Sequence, residues 1–196
     1  MSNTHTGTYH LAENPKYFEI QRNNNFEFIV TDLDNIMRAG ALGTESNAKI
    51  TNAQEMLRLS VSKSFIPHFT QEVVSIKRGN STLKYAGVPE FKEGSLEFHD
   101  FVGADTKAIL MAWQNLSYNV DTEIVGSMAN AATQYKKNCY LVEYTPDKQP
   151  VRTWILYGCW ISGIDEGPYS SEDGNKHLIT ATIQYDRAKI DMSGTI

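Results

Sequence analysis

The sequence predicts a mainly β protein, namely a small antiparallel β-barrel or β-sandwich with one flanking α-helix, a long N-terminal arm and a projecting hairpin. The main observation is that several short segments alternate apolar and polar residues, which is the period of a half-buried strand. The second observation is that convincing helical spacing occurs in one segment, residues 105–119. Many short strands with a single helix favour a sandwich or a barrel.

Length, composition and charge narrow the class of protein. The chain has 196 residues with no internal repeat and no linker-like stretch, so residues 1–196 are predicted to form a single domain. Hydrophobic residues make up 41% of the chain and charged residues 21%, which supports a packed core. No apolar run approaches the ~18 residues that span a bilayer, and the N-terminus lacks the pattern of a secretory signal, so no membrane insertion is expected. The net charge of −5 argues against a broad nucleic-acid-binding surface.

The N-terminal part of the chain is predicted to be mostly irregular. Residues 1–25 are polar and aromatic without a period, and we interpret them as an extended arm. Alternation over residues 26–30 predicts a strand. Residues 31–55 are rich in Asp, Asn, Gly and Ser, which favour turns, so a long irregular loop is predicted there. Alternation over residues 57–65 predicts the next strand.

A β-hairpin is predicted near residues 75–87. Two strand-like segments, residues 73–78 and 82–87, meet at a turn that contains Gly79 and Asn80, and both residue types tolerate a positive φ. The arms are expected to be polar on both faces near the tip, where three basic residues occur: Lys77, Arg78 and Lys84. A hairpin this polar is expected to project from the body of the protein.

Residues 105–119 are predicted to form the one helix, which Asp105 can cap. Ile109, Trp113 and Leu116 follow at helical spacing and form one apolar stripe, so we expect these side chains to dock the helix on the barrel. The remaining predicted strands lie at residues 95–99, 139–144, 152–161 and 178–185.

Known catalytic signatures do not occur in the sequence. It has no nucleophile elbow, no zinc-protease motif, no phosphate-binding loop and no dinucleotide-binding motif. Asp32 and Asp34 resemble the start of a calcium loop, but the required Gly and Glu do not follow, so a turn is the better interpretation. The histidines are scattered, and His99 is interpreted as structural. We therefore predict no catalytic residues, no metal site and no cofactor, and hence a protein that is not an enzyme.

The two cysteines, Cys139 and Cys159, both lie in apolar strand-like runs. We interpret them as small buried hydrophobic residues, and a single disulfide stays open as the alternative. Neither cysteine has a second ligand at the spacing that zinc sites require.

The order of several segments in the C-terminal two thirds of the chain resembles a known family. The matching segments are residues 76–80, Tyr85-Ala86-Gly87, Gly94 to Phe98, Ala112-Trp113-Gln114, Tyr135-Lys136-Lys137, Glu143 to Asp147, Gly158-Cys159-Trp160-Ile161 and Ile179 to Asp186. In this order and spacing the sequence resembles the major tail tube proteins of contractile-tailed bacteriophages, a family shared with the inner tube proteins of type VI secretion systems and R-type pyocins.

The resemblance implies a structural virion protein. In this family hexameric rings stack into a hollow tube inside a contractile sheath, and the tube is the channel for genome ejection. The implied partners are other copies of the chain, the tail sheath protein, baseplate or tube-initiator proteins, the tape measure protein and transiting double-stranded DNA. The implied location is the phage tail, assembled in the host bacterial cytoplasm. The hairpin is expected to make the ring-to-ring contact through Lys77, Arg78, Asn80, Lys84 and Tyr85.

Alternatives within and outside the family remain open at this stage. The chain could be the inner tube subunit of a type VI or pyocin-like system, or a baseplate tube-initiator that forms one ring. A β-sandwich carbohydrate-binding module would need an exposed aromatic platform. For a DNA-conducting tube we expect an acidic lumen, with Lys77, Arg78, Lys136 and Lys137 used at subunit or sheath interfaces.

Overall fold

The computed structural model describes residues 20–40, 47–102, 106–126, 134–171 and 174–192, and these residues form eleven strands and three helices. The strands are β1 (Phe26–Val30), β2 (Val61–Lys63), β3 (Phe69–Arg78), β4 (Ser81–Phe91), β5 (Gly94–His99), β6 (Tyr118–Asn119), β7 (Ile124–Val125), β8 (Lys137–Tyr144), β9 (Pro150–Asp165), β10 (Leu178–Gln184) and β11 (Arg187–Asp191). The helices are α1 (Leu33–Gly40), α2 (Asn47–Ser60) and α3 (Thr106–Ser117).

The main sheet has seven antiparallel strands in the order β1-β8-β9-β10-β5-β2, with β11 also paired to β9. Strand β9 is 16 residues long and takes part in two sub-sheets. Its first half lies between β8 and β11, with Thr153 opposite Asp191. Its second half pairs with β10, with Asp165 opposite Thr180. The result is a curled, half-barrel sheet, which confirms the predicted mainly β, antiparallel class.

The curl is centred on Gly158, which has a φ of +68°. A Cβ at this position would lie 2.2 Å from a carboxylate oxygen of Asp186 and would displace it, and the positive φ favours glycine in any case. The Asp186 amide donates a hydrogen bond to the Tyr157 carbonyl over 2.9 Å, and Lys136 Nζ binds both Asp186 oxygens at 2.7 and 2.9 Å. This cluster marks the point along β9 where β10 ends and β11 begins.

One face of the curled sheet is apolar and is covered by the helices. Inward residues of β5 and β10 alternate with outward ones, as the half-buried strand period requires. Helix α3 packs on β9 with its apolar stripe, and Ile109, Trp113 and Leu116 are all buried. Trp113 is 1% exposed, and its Nε1 donates a hydrogen bond to the Tyr135 carbonyl over 3.2 Å.

The prediction of a long irregular loop over residues 31–55 was wrong, because α1 and the first part of α2 lie there; residues 41–46 are outside the described residues. Leu33, Ile36 and Met37 form a buried helical stripe. The polar residues that suggested a turn act at the helix start instead. The Asp32 carbonyl accepts hydrogen bonds from the Asn35 and Ile36 amides, and Asp34 places negative charge in the first turn.

The strand predicted over residues 57–65 was also wrong for most of its length. Helix α2 runs to Ser60, and only the three residues of β2 are extended. Ala53, Leu57 and Ser60 lie on one buried helix face, whereas Leu59 is exposed. The Ser60 hydroxyl lies 2.7 Å from that of Thr106, which joins α2 to the start of α3. Alternation over so few residues does not separate a strand from a helix whose apolar face is narrow.

Two further predictions fall partly on residues that the structure does not describe. Helix α3 begins at Thr106 and ends at Ser117, within the predicted 105–119, and the proposed cap Asp105 lies outside the described part. Residues 1–19 of the predicted arm also lie outside it. Its described end runs beside β8, where Gln21 Nε2 donates to the Tyr144 carbonyl over 2.8 Å.

We predict that replacing Trp113 by Ala lowers the free energy of unfolding by about 3–5 kcal/mol, because the side chain is buried and its removal leaves a cavity. Chemical denaturation followed by circular dichroism measures the change. Gln114→Ala, the next position of α3 and off the buried face, is the matched control and is expected to change stability by no more than about 0.5 kcal/mol. Equal stabilities of the two variants would contradict a docking role for this helix face.

Candidate assembly surface

Strands β3 and β4 form a two-stranded sheet that pairs with no other strand of the described residues. We call residues 69–91 the long ribbon. Every residue of β3 is exposed, and the two strands meet at a two-residue turn in which Gly79 has a φ of +64°. The Ser81 hydroxyl donates to the Arg78 carbonyl over 3.0 Å and closes the turn. An isolated two-stranded ribbon is marginally stable in water, so this one needs support from elsewhere.

The long ribbon has one apolar face and one polar face. Cross-strand partners point to the same side of a sheet, and Val74 pairs with Tyr85 and Ile76 with Leu83. These four side chains are 37–53% exposed. Arg78 continues the same face at the tip. The opposite face carries the polar pairs Ser75–Lys84 and Lys77–Thr82, followed towards the base by Val73 and Ala86.

The expectation of arms that are polar on both faces near the tip holds for the last pairs, Arg78–Ser81 and Lys77–Thr82. It fails directly behind them, where Ile76 and Leu83 make one face apolar. The lysines are adjacent in sequence to the apolar residues, but the register places the two sets on opposite sides of the ribbon. Composition alone does not show this separation. Counting cross-strand partners outward from the Gly79-Asn80 turn would have revealed it.

The long ribbon is anchored to the body of the protein by aromatic rings at its base. Phe69 lies across from Phe91 with ring centroids 5.5 Å apart, and Phe91 contacts the Tyr185 ring at 5.9 Å. Phe65 stacks on Tyr185 from the other side at 5.7 Å. Burial raises the pKa of the Tyr185 phenol, whose hydroxyl lies 3.3 Å from the His68 carbonyl. The phenol thus stays neutral while the ring anchors the ribbon.

A bulge lies between this base and the apolar face. Gln71 pairs with Pro89 and Val73 with Ala86, so the single residue Glu72 lies opposite two residues of β4. A Cβ on Gly87 would lie 2.7 Å from the Glu72 carbonyl oxygen, which explains why glycine occupies this position. Bulges bend a strand pair and increase its twist, so this one sets the direction in which the outer part of the ribbon points.

All five residues predicted for ring stacking lie on the long ribbon and are exposed: Lys77, Arg78, Asn80, Lys84 and Tyr85. Among the described residues none forms an ion pair with the three basic ones. The two other cations expected at interfaces differ. Lys136 already pairs with Asp186 of its own chain, and Lys137 is buried, so neither presents a free charge to a neighbour.

A second exposed apolar feature follows α3. Residues 118–126, which we call the short ribbon, contain β6, a turn and β7. Asn119 Oδ1 accepts hydrogen bonds of 3.0 Å from the amides of Asp121 and Thr122, which fixes the turn. The Gly126 amide donates to the Ser117 carbonyl over 2.8 Å. The short ribbon is thereby attached to the end of α3.

A groove of about 270 Å³ separates the short ribbon from β9. Its lining includes Met111 of α3, Tyr118 and Val120 of the short ribbon, and Trp160 of β9. Ligand pockets usually exceed ~300 Å³, so this groove suits one or two protein side chains better than a cofactor. Beside it Val120, Ile124 and Val125 are exposed, with Asp121 and Glu123 in the turn between them.

The possible metal ligands, the two cysteines and His99 were the candidates for chemistry in the sequence. No group of three or more His, Cys, Asp or Glu side chains that could hold a metal ion occurs among the described residues. Cys139 and Cys159 are free and buried, and burial together with the neighbouring Cys159 thiol raises the pKa of Cys139. The His99 ring packs near Phe101 at 5.7 Å.

Across the described part of the chain, no helix combines the length and the apolar character needed to cross a membrane.

Solved structures share this fold. The chain aligns with a chain of the anti-feeding prophage tube-terminating cap at a TM-score of 0.60 and 11% identity, covering 89% of this chain and 93% of the other. It aligns with a chain of the PVC sheath/tube terminator, from an extracellular contractile injection system, at 0.59 and 12%, covering 88% and 97%. For a chain of the extended PVC sheath-tube complex the values are 0.57 and 13%, with coverage of 97% and 99%.

No protein-family model matches the sequence, and no curated protein matches it either. The likeness is thus one of fold. It extends over nearly the whole length of both chains. The fold is the one found in these contractile injection system tube and cap assemblies, in agreement with the resemblance seen in the sequence.

Proposed function

We propose that this protein is a non-enzymatic structural subunit of a contractile tail, in which hexameric rings stack into the hollow inner tube of a phage particle. One observation carries the proposal: on the fold of contractile injection tube assemblies, this chain projects a ribbon whose apolar face is open to solvent. Exposed apolar surface of this kind marks a protein–protein contact. The ribbon is expected to gain its missing support from the next ring of the tube.

The proposed partners follow from this role. The chain would contact itself within and between rings, the sheath outside the tube, baseplate or initiator proteins at one end, and a tape measure protein and double-stranded DNA inside. Assembly would take place in the host cytoplasm, and the finished protein would reside in the phage tail. A single ring at one end of a tube is the second candidate, because two of the solved structures with this fold are a tube-terminating cap and a sheath/tube terminator.

The helix-free face of the curled sheet is the proposed channel wall. On this face Ser95 and Thr182 are neighbours in one row, and Glu97, Thr180 and Asp165 form the next. Small hydroxyl side chains make this part of the surface smooth, and the carboxylates of Glu97 and Asp165 make it acidic. Lys63, which lies 2.9 Å from Glu97, offsets part of that charge. Arg187 and Lys189 of β11 lie on the same side of the sheet, so it is the β5–β10 part of the wall that would repel phosphates.

We predict that deleting residues 77–85 abolishes tubes but leaves folded subunits. The deletion removes the tip together with Leu83 and Tyr85, two of the four apolar side chains, whereas the aromatic anchor at the base stays in place. Negative-stain electron microscopy of the purified protein would show tubes for the full-length chain and only rings or monomers for the variant. Circular dichroism checks that the variant is folded.

The same images test the role of the protein. Long tubes from the full-length chain support a tube subunit, and isolated rings of uniform height support the terminal-ring candidate. Normal tubes from the deletion variant would contradict the assignment of ring stacking to the long ribbon.

We further predict that assembled tubes do not retain double-stranded DNA, because the β5–β10 part of the proposed wall is acidic. Thr180→Lys would add one cation per subunit to the middle of that wall. Tubes of this variant should retain DNA at low salt and release it as salt rises, with a slope of about −0.9 per phosphate contact. Lys148→Glu, in an exposed turn between β8 and β9, is a control that changes charge elsewhere.

Co-sedimentation of fluorescent DNA with the tubes measures retention. Salt-sensitive retention by unaltered tubes would contradict an acidic bore. Identical behaviour of Thr180→Lys and unaltered tubes would show that β10 does not line the channel.

A further inference from the structure

The long ribbon and the short ribbon have complementary properties. The long ribbon offers an apolar face that ends in the cation Arg78. The short ribbon offers exposed Val120 and Ile124, an adjoining apolar groove, and the anions Asp121 and Glu123. None of these charged side chains has an ion-pair partner among the described residues. The long ribbon therefore offers a cation, and the short ribbon offers anions, each beside exposed apolar side chains.

We propose that the apolar face of the long ribbon docks on the short ribbon and its groove in a second copy of the chain, with Arg78 paired to Asp121 or Glu123. This inference rests on the proposed function and names the surface that receives the ribbon. The occupant is argued from charge complementarity, since a basic tip would meet an acidic turn. The groove, at about 270 Å³, would hold one or two of the apolar side chains that face it.

The geometry of such a contact accounts for continued growth. The two ribbons are different surfaces of one chain, so their contact is heterologous and leaves an unused long ribbon at one end and an unused short ribbon at the other. Further copies add at either end by the same contact. Two long ribbons packed through their apolar faces would instead form a closed pair, and they would place both Arg78 side chains in one contact with no carboxylate from either ribbon face. Like charge disfavours that arrangement.

The attachment of each ribbon suits it to this contact. The short ribbon is fixed to α3 by the Gly126–Ser117 and Val120–Asn115 hydrogen bonds, so its acidic turn is a rigid target. A Cβ on Gly126 would lie 1.9 Å from the Leu116 carbonyl oxygen, which shows how closely the short ribbon returns to the helix. The long ribbon is held only at its base and is the part that can adjust on docking.

Charge reversal on both sides tests the pairing. Arg78→Glu alone, and Asp121→Arg with Glu123→Arg, should each raise the concentration needed for assembly by about tenfold or more, because they place like charges in contact. Combining all three substitutions should restore assembly to within about threefold of the unaltered chain, because the pair is re-formed with opposite polarity. Sedimentation and negative-stain microscopy at a series of concentrations give these values.

Neighbouring residues on the opposite face of the long ribbon provide matched controls. Lys77→Glu removes the same charge one position away but points to the other side, so it should have a smaller effect than Arg78→Glu. Ile76→Asp should abolish assembly, whereas Ser75→Asp should leave it intact. Glu55→Arg, at an exposed position of α2, controls for a general change of net charge. All of these side chains are exposed, and circular dichroism confirms folding of each variant.

The outcomes separate this inference from the proposed function. Rescue by the combined reversal supports the ribbon-to-ribbon contact. Unaltered assembly of Arg78→Glu, or of the Asp121 and Glu123 reversal, would overturn it while leaving the tube role in place. Loss of assembly in Arg78→Glu alone, without any effect of the short-ribbon reversal, would show that the ribbon binds another surface. A chain that stays monomeric at all concentrations would overturn both.

Discussion

The passage of one continuous strand through a bend is the constraint on which the rest of the structure depends. Strand β9 serves two sub-sheets, and it does so because Gly158 leaves room for the Asp186 carboxylate at the point where its partners change. Without that bend the apolar face would be flat, and three helices could not lie within its curve. The next residue back, Tyr185, anchors the long ribbon. Two adjacent residues therefore connect the curvature of the sheet to the position of its main projection.

The main sheet and the two ribbons expose different kinds of side chain. The helix-covered face of the sheet forms part of the hydrophobic core. The opposite face of β5 and β10 presents short polar side chains. Exposed apolar groups are concentrated in the two ribbons, which lie outside the main sheet. In the proposed tube this division separates the channel from the contacts that hold the channel together. A change in either ribbon would thus leave the wall unaltered.

Much of the fold was predictable because the spacing of apolar residues along a strand or a helix shows which of its sides is buried. The strands that became β5, β8, β9 and β10 each have an inward side of apolar residues, and the stripe of α3 has three well-spaced anchors. Helices α1 and α2 were missed because Asp, Asn and Ser occur at helix ends as well as in turns. The apolar face of the long ribbon depends on cross-strand register, and the groove depends on the packing of Trp160 against a distant helix. Residues that are not neighbours in sequence determine both the apolar face and the groove, so local sequence patterns do not predict either of them.

The thin attachment of the long ribbon has a kinetic consequence. A strand pair that is barely stable by itself must lose conformational freedom when it docks, and the first few contacts in an assembly return too little to offset that loss. Spontaneous polymerisation would then pass through an unfavourable nucleus, whereas a preformed template that already presents several docking surfaces in a ring would bypass it. A subunit built this way starts filaments slowly when it is alone, and a starting platform removes that delay.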